Sequence, residues 1–127
     1  MTEFFDRDDV LTAGALAVGA VLEVGDFGLL DAAVARPQAT VYGVDAYPDL
    51  YTKAAALLQS LARNRALVDG NKRTAWASAW TFLYINGIEL VAGFDVDTAE
   101  RFMYDVAERG ELTVDDIAET LRQFASA

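Results

Sequence analysis

The sequence predicts a mostly α-helical domain, in the all-α class, from three observations. Apolar residues recur at helical spacing through most of the chain. Capping and stop residues divide it into about six such segments. One short stretch, Thr40-Val41-Tyr42-Gly43-Val44, sets β-prone residues around a turn glycine. The 127 residues suit one domain, 1–127, a compact bundle of about six helices with a small β-flap. At 54% apolar residues, such a chain can bury a core without covalent staples.

Taken in order, Asp8-Asp9 should cap a first helix carrying Val10, Leu11, Ala15, Leu16, Val18, Val21 and Leu22, apolar enough to be largely buried. Gly25-Asp26-Phe27-Gly28 ends it. A short helix from Leu29 to Ala35 follows and stops before Arg36-Pro37. After the flap, Pro48 suits the first turn of a helix from about Asp49 to Arg63, with Leu50, Ala54, Leu57, Leu58 and Leu61 as its buried stripe. The next helix begins near Asn71 and stops at Asn86-Gly87, a strong C-terminal signal. Ile88 to Val91 should be extended. Helices over Asp97–Arg109 and Thr113–Phe124 complete the chain, separated by Gly110. Thr98, Phe102 and Val106 line the first, and Val114, Ile117 and Leu121 the second. Thr113-Val114-Asp115-Asp116 has the form of a capping box.

Composition narrows the chemistry. Without cysteine or histidine, the chain has no disulfide, no thiolate metal site, and no side chain whose ordinary pKa lies near neutrality. No long uncharged apolar run indicates a membrane span. The start, Met1-Thr2-Glu3-Phe4-Phe5-Asp6, lacks the basic character of a signal peptide, so a cytoplasmic protein is expected. The net charge of −10 argues against direct nucleic-acid binding, which needs broad positive surface. The ten cations are unevenly placed, however. Arg63, Arg65, Lys72 and Arg73 fall close together, in and beside one loop. A local positive cluster on a negative body suits a small anion such as a nucleotide phosphate. Pairing with nearby carboxylates explains the same charges as readily.

That loop lies between two helices, and the second helix starts inside it. Free N–H groups and a partial positive charge at a helix start bind phosphate. Gly70 allows close backbone approach. Lys72 and Arg73 add full charges, and Asp69 is placed to hold Mg²⁺ beside phosphate oxygens. The segment is not a Walker A loop, because GxxxxGK[ST] is absent.

Arg65-Ala66-Leu67-Val68-Asp69-Gly70-Asn71-Lys72-Arg73 resembles the core motif of the Fic/Doc family, H-x-F-x-D/N-G/A-N-K/G-R. Lys72 stands where most Fic enzymes have glycine, and Trp76 where they have a second arginine; both are Doc-like features. Leu29-Leu30-Asp31 with Arg36-Pro37, the stretch Ala54 to Arg63, Thr81-Phe82-Leu83 to Asn86-Gly87, and Thr113 to Arg122 extend the resemblance over nearly the whole chain. It implies a Doc-type toxin, a kinase that transfers phosphate from ATP to a threonine of elongation factor Tu and halts translation. It implies Asp69 as the Mg²⁺ carboxylate, with Gly70, Asn71, Lys72 and Arg73 around the phosphates. The flap, Thr40 to Asp45, would align the target peptide as an added strand. A Phd-type antitoxin is the implied partner, and a monomer or a toxin–antitoxin complex the implied state. Arg63 lies outside the motif; its charge and proximity make it a candidate auxiliary phosphate contact.

Arg65 breaks the pattern. The family has histidine there, which takes the proton of the attacking hydroxyl. A guanidinium cannot accept a proton near neutral pH, so the chain should be catalytically impaired. Asp69 acting as base would compete with its metal role. A substitution that silences a toxic protein and a natural binding homologue both account for Arg65, and the intact remainder of the motif favours the first. AMP transfer of the wider Fic class and a non-enzymatic antitoxin binder stand as alternatives. Trp76 and Trp80 are expected in the core rather than as a base-stacking platform. Phe4 and Phe5 fit either core contacts or an exposed antitoxin groove, and Tyr42 and Tyr47 either target contact or packing.

Overall fold

The protein is described by a computed structural model covering residues 1–126. Its order is α1 (Arg7–Val18), α2 (Phe27–Ala35), β1 (Thr40–Val41), β2 (Val44–Asp45), α3 (Leu50–Asn64), α4 (Asn71–Ile85), α5 (Val96–Tyr104) and α6 (Val114–Phe124). The expected mostly-α architecture with one small antiparallel flap is what forms. A 3₁₀ turn at Arg36–Gln38 carries Pro37 in its first positions, and a π turn at Asp105–Arg109 extends α5.

Helix α3 is the axis of the bundle. Asp49 and Thr52 close its N-terminal capping box, and its residues from Thr52 to Ala62 are buried on every side. Leu57 and Leu58 are wholly inaccessible, each contributing roughly 2 kcal/mol of apolar burial. Helices α4 and α6 pack on it directly. A cluster of rings then ties α4, α5 and α6 together: Trp76 meets Phe124 edge-on at 5.2 Å and Phe94 at 5.6 Å. Trp80 is buried beside Trp76, so both tryptophans serve the core as expected. Phe4 and Phe5 both pack against Phe82, which settles them as core contacts. The extended piece after α4 pairs with the chain end through Leu90 and Ala125, and Val91 N–H donates to Phe124 C=O at 2.8 Å.

Helix α1 departs from expectation. It is capped by Asp6 rather than by Asp8-Asp9, and it ends at Val18 because Gly19 takes a left-handed cap conformation. Only Val10, Ala13 and Gly14 are buried in it; Leu16 stands 81% exposed. The apolar residues do not all share one face, so burial is confined to the stripe against α4. In α5, the buried face is Ala99, Phe102 and Met103, and Thr98 instead bonds the Asp95 cap at 2.9 Å.

The α1–α4 contact is tight enough to need a glycine. A Cβ on Gly14 would lie 2.5 Å from Thr74 Oγ1 and 2.7 Å from Thr74 Cγ2. Alanine inside a helix ordinarily gains up to about 1 kcal/mol over glycine. Here overpacking, typically costing about 1–3 kcal/mol, outweighs that gain. Gly14→Ala should lower stability by about 1–2 kcal/mol in urea unfolding, whereas a stabilised variant would show that α1 yields without cost.

Candidate active site

The loop from Arg65 to Gly70 joins the two most closely packed helices. Arg65 ends α3 in a left-handed conformation (φ 52°), uncommon for a side chain of its size. The backbone then runs beside the segment after α1. Gly25 and Asp26 N–H both donate to Ala66 C=O (2.8 and 3.0 Å), Val68 N–H donates to Glu23 C=O (2.9 Å), and Val24 bridges Leu67. The Gly25-Asp26 break is thus the second wall of the loop. Asn71 closes it from the other side. Its Oδ1 accepts from Leu67 N–H at 3.1 Å and its Nδ2 donates to Leu67 C=O at 2.9 Å. The Asn71 side chain is spent on the loop, so toward a ligand this residue offers its backbone N–H.

Gly70 is the N-cap of α4, at φ 81°, and no side chain caps the helix. The amides of Asn71, Lys72 and Arg73 therefore open the helix without partners among the described residues. Gly70 contributes its conformation rather than its own amide, which donates to Asp69 Oδ1 at 2.8 Å. A Cβ there would meet Val18 Cγ2 at 2.8 Å, so α1 backs the glycine. Arg65, Asp69, Gly70, Asn71, Lys72 and Arg73 line one cavity of about 400 Å³. Partial positive charge from the helix start and the full charges of Lys72 and Arg73 suit this cavity to an anion.

Metal binding has one candidate ligand. Asp69 Oδ2 has no hydrogen-bond partner among the described residues, since Gly70 uses Oδ1. Among the described residues, no group of three or more acidic or histidine residues gathers there to cage an ion. A lone free carboxylate beside a phosphate site fits Mg²⁺ arriving with a polyphosphate, because that ion keeps several waters and takes one or two protein carboxylates.

Arg63 does not belong to this cavity. Its Nε donates to Val106 C=O and its Nη2 to Leu112 C=O, both at 2.8 Å. It braces the π turn against α3, which corrects the expectation of an auxiliary phosphate contact. The flap residues Thr40, Val41, Tyr42, Gly43 and Val44 also lie outside the cavity lining. Thr40 pairs with Asp45 and Val41 with Val44, over a two-residue turn with positive φ at Tyr42 and Gly43. The Tyr42 ring is fully exposed. Tyr47, by contrast, packs: its hydroxyl accepts from Arg36 Nε at 2.9 Å. Buried Lys53 reaches Asp45 at 3.1 Å and also donates to Tyr47 C=O, anchoring a hairpin too short to hold itself.

Glu108 is the residue that sequence reasoning missed. Its Oε1 accepts from Arg65 Nη2 at 2.7 Å and from Lys72 Nζ at 3.2 Å. Nothing local marks it, because it comes from the π turn some forty residues away. The Lys72 hydrogen bond, helped by the Arg65 charge, holds its carboxyl below the ordinary glutamate value against the opposing effect of desolvation. A lowered acid pKa stabilises the fold above the ordinary value, and that contribution is lost as pH falls through the lowered one. Carbon-13 NMR should show Glu108 titrating below a free glutamate, and Lys72→Met should raise its midpoint. An unmoved midpoint would deny the bond.

The comparisons with known proteins agree with this geometry. The family model described as Fic/DOC family matches residues 4–83, more than half of the chain. The chain is 70% identical to "Toxin Doc" of Mycolicibacterium smegmatis over 127 residues, covering all of this chain and 97% of that protein. It is 35% identical over 106 residues to "Protein kinase doc" of Escherichia phage P1, covering 83% of this chain and 79% of that one. Motif, fold and relatives coincide, and the chain belongs to the Fic/Doc family.

Proposed function

We propose that this single domain is a cytoplasmic Doc-type toxin, a protein kinase built to use ATP with Mg²⁺ and to phosphorylate a threonine of elongation factor Tu, and that Arg65 impairs it. The observation that carries the reading is the meeting of three open α4 amides, Lys72, Arg73 and the free oxygen of Asp69 in one cavity. The names of the two relatives, a toxin and a protein kinase, support it. Mg²⁺ would supply charge neutralisation between phosphates. Asp69 would hold it, while Lys72, Arg73 and the amides of residues 71–73 orient the phosphates. Phosphoryl transfer depends mainly on such positioning and charge stabilisation.

What the chain lacks is a proton acceptor. Arg65 stands in the histidine position of the family motif, and a guanidinium is not a general base near neutral pH. Glu108, bonded to two cations, is a poor base. A missing general base costs roughly 10²–10⁴-fold in rate. Tyr42 and the exposed edge of the flap are offered to a target peptide. A Phd-type antitoxin is the proposed partner, in a toxin–antitoxin complex, and a basic antitoxin tail complements a chain of net charge −10.

Arg65→His should raise phosphotransfer to translation factors by about 10²–10⁴-fold and arrest growth of a bacterial host that tolerates the present chain. The adduct mass should be that of phosphate, not the far heavier AMP. If Arg65→His is silent toward translation factors from several sources, the kinase reading fails.

A further inference from the structure

The flap is held in place by a lysine that the phosphate site does not use. Lys53, in the first turn of α3, is the one buried cation among the described residues, with a side chain only 5% exposed. An amino group so placed needs acceptors, because burying it unbonded is costly. It finds two, both on the C-terminal leg of the hairpin: Asp45 Oδ2 at 3.1 Å and Tyr47 C=O. Arg36 grips the same leg, with Nε donating to the Tyr47 hydroxyl at 2.9 Å and the guanidinium 5.4 Å from the ring centre. Arg36 also bonds Gln59 and Ser60 of α3, whereas both bonds of Lys53 go to the hairpin. The hairpin itself has little to hold it. It has two residue pairs and one further bond, from Ala46 N–H to Ala39 C=O at 2.9 Å, and all four strand residues are exposed. A hairpin without a packed face is marginal in water.

From this placement we infer that Lys53 is a positioning residue for the target peptide. It holds the flap edge extended before the peptide arrives, without touching peptide or nucleotide. The inference rests on the kinase reading, with the flap as the peptide dock, and adds to it the residue that prepares that dock. A peptide added as a strand gains main-chain bonds only along an edge that is already extended. If the edge is formed for only part of the time, the apparent affinity falls by that fraction. Lys53 lies outside the lining of the cavity at the α4 opening, so its effect falls on target binding and spares the phosphate site.

Steady-state phosphotransfer to elongation factor Tu by the Arg65→His protein, with and without Lys53→Met, tests this. Methionine keeps the length and the packing of the stem and removes both bonds. Lys53→Met should raise the KM for the protein target about five- to thirtyfold, the range for losing bonds from a charged donor when one acceptor is partly exposed. Both kcat and the KM for Mg²⁺–ATP should stay within about twofold. Hydrogen exchange of the Ala46 amide should quicken by a similar factor, since that amide is protected only while the hairpin is closed. Asp45→Asn weakens one of the two bonds and should shift the target KM and the exchange the same way, by about two- to fivefold. Arg122→Gln cuts another partly exposed pair at the start of α3, with Asp49 at 3.1 Å, and should leave the target KM within about twofold. An unmoved target KM in Lys53→Met, or a loss confined to kcat, overturns the inference. So does an equal rise in Arg122→Gln, which would reveal a general loosening of α3. Thermal unfolding checks that Lys53→Met is folded; if it is not, Asp45→Asn decides, and an unmoved target KM there counts against the inference. If Arg65→His transfers no phosphate to any translation factor, the kinase reading fails and this inference with it, whereas transfer with an unmoved KM rejects the inference alone.

Discussion

The candidate site depends on the clasp between the Asn71 side chain and the backbone of Leu67. One amide satisfies both polar groups of a residue in the middle of the loop, while residues 23–26 engage the Ala66 carbonyl and the Val68 amide on either side. Each such bond is worth only about 1 kcal/mol net, but leaving its partner unpaired costs more. Together they fix the entry of α4, and with it the direction of its open amides. Lys72, Arg73 and Asp69 converge because the helix start cannot turn. Gly70 and Gly14 let α1 approach closely behind this corner, so the site is backed by packed structure and is not a free surface loop.

Charge in this protein is organised at two scales. The body is strongly acidic, and a small set of cations is gathered at one helix start. Proximity in sequence did not decide membership of that set. Arg63, two residues from Arg65, has its guanidinium bonded to backbone carbonyls, whereas Glu108 enters from a distant turn and reaches the cations directly. The two roles are connected, because the turn that Arg63 braces is the one that delivers Glu108.

Much of the architecture was legible in the sequence because its signals are local. The Thr113 box, the Asp49 cap, the stop at Asn86-Gly87 and the hairpin around Gly43 each rest on residues a few positions apart. The loop motif was legible for the same reason. Three things were not. Helix α1 ends at Gly19 rather than near Leu22, because apolar content alone does not reveal a left-handed cap. The segment after it reads as a simple break, yet it pairs with the loop through contacts some forty residues apart, which leave no periodicity. The π turn that follows α5 shifts the helical phase and aims Glu108, and no residue type there announces it.

The central claim is that phosphate binds at the opening of α4. Amide NMR of the full chain on addition of Mg²⁺–ATP tests it most directly. The account predicts saturable shifts centred on Asn71, Lys72 and Arg73, with the Leu67 amide retaining its protection because the Asn71 clasp holds. Shifts centred elsewhere, or none at these three amides, would contradict it.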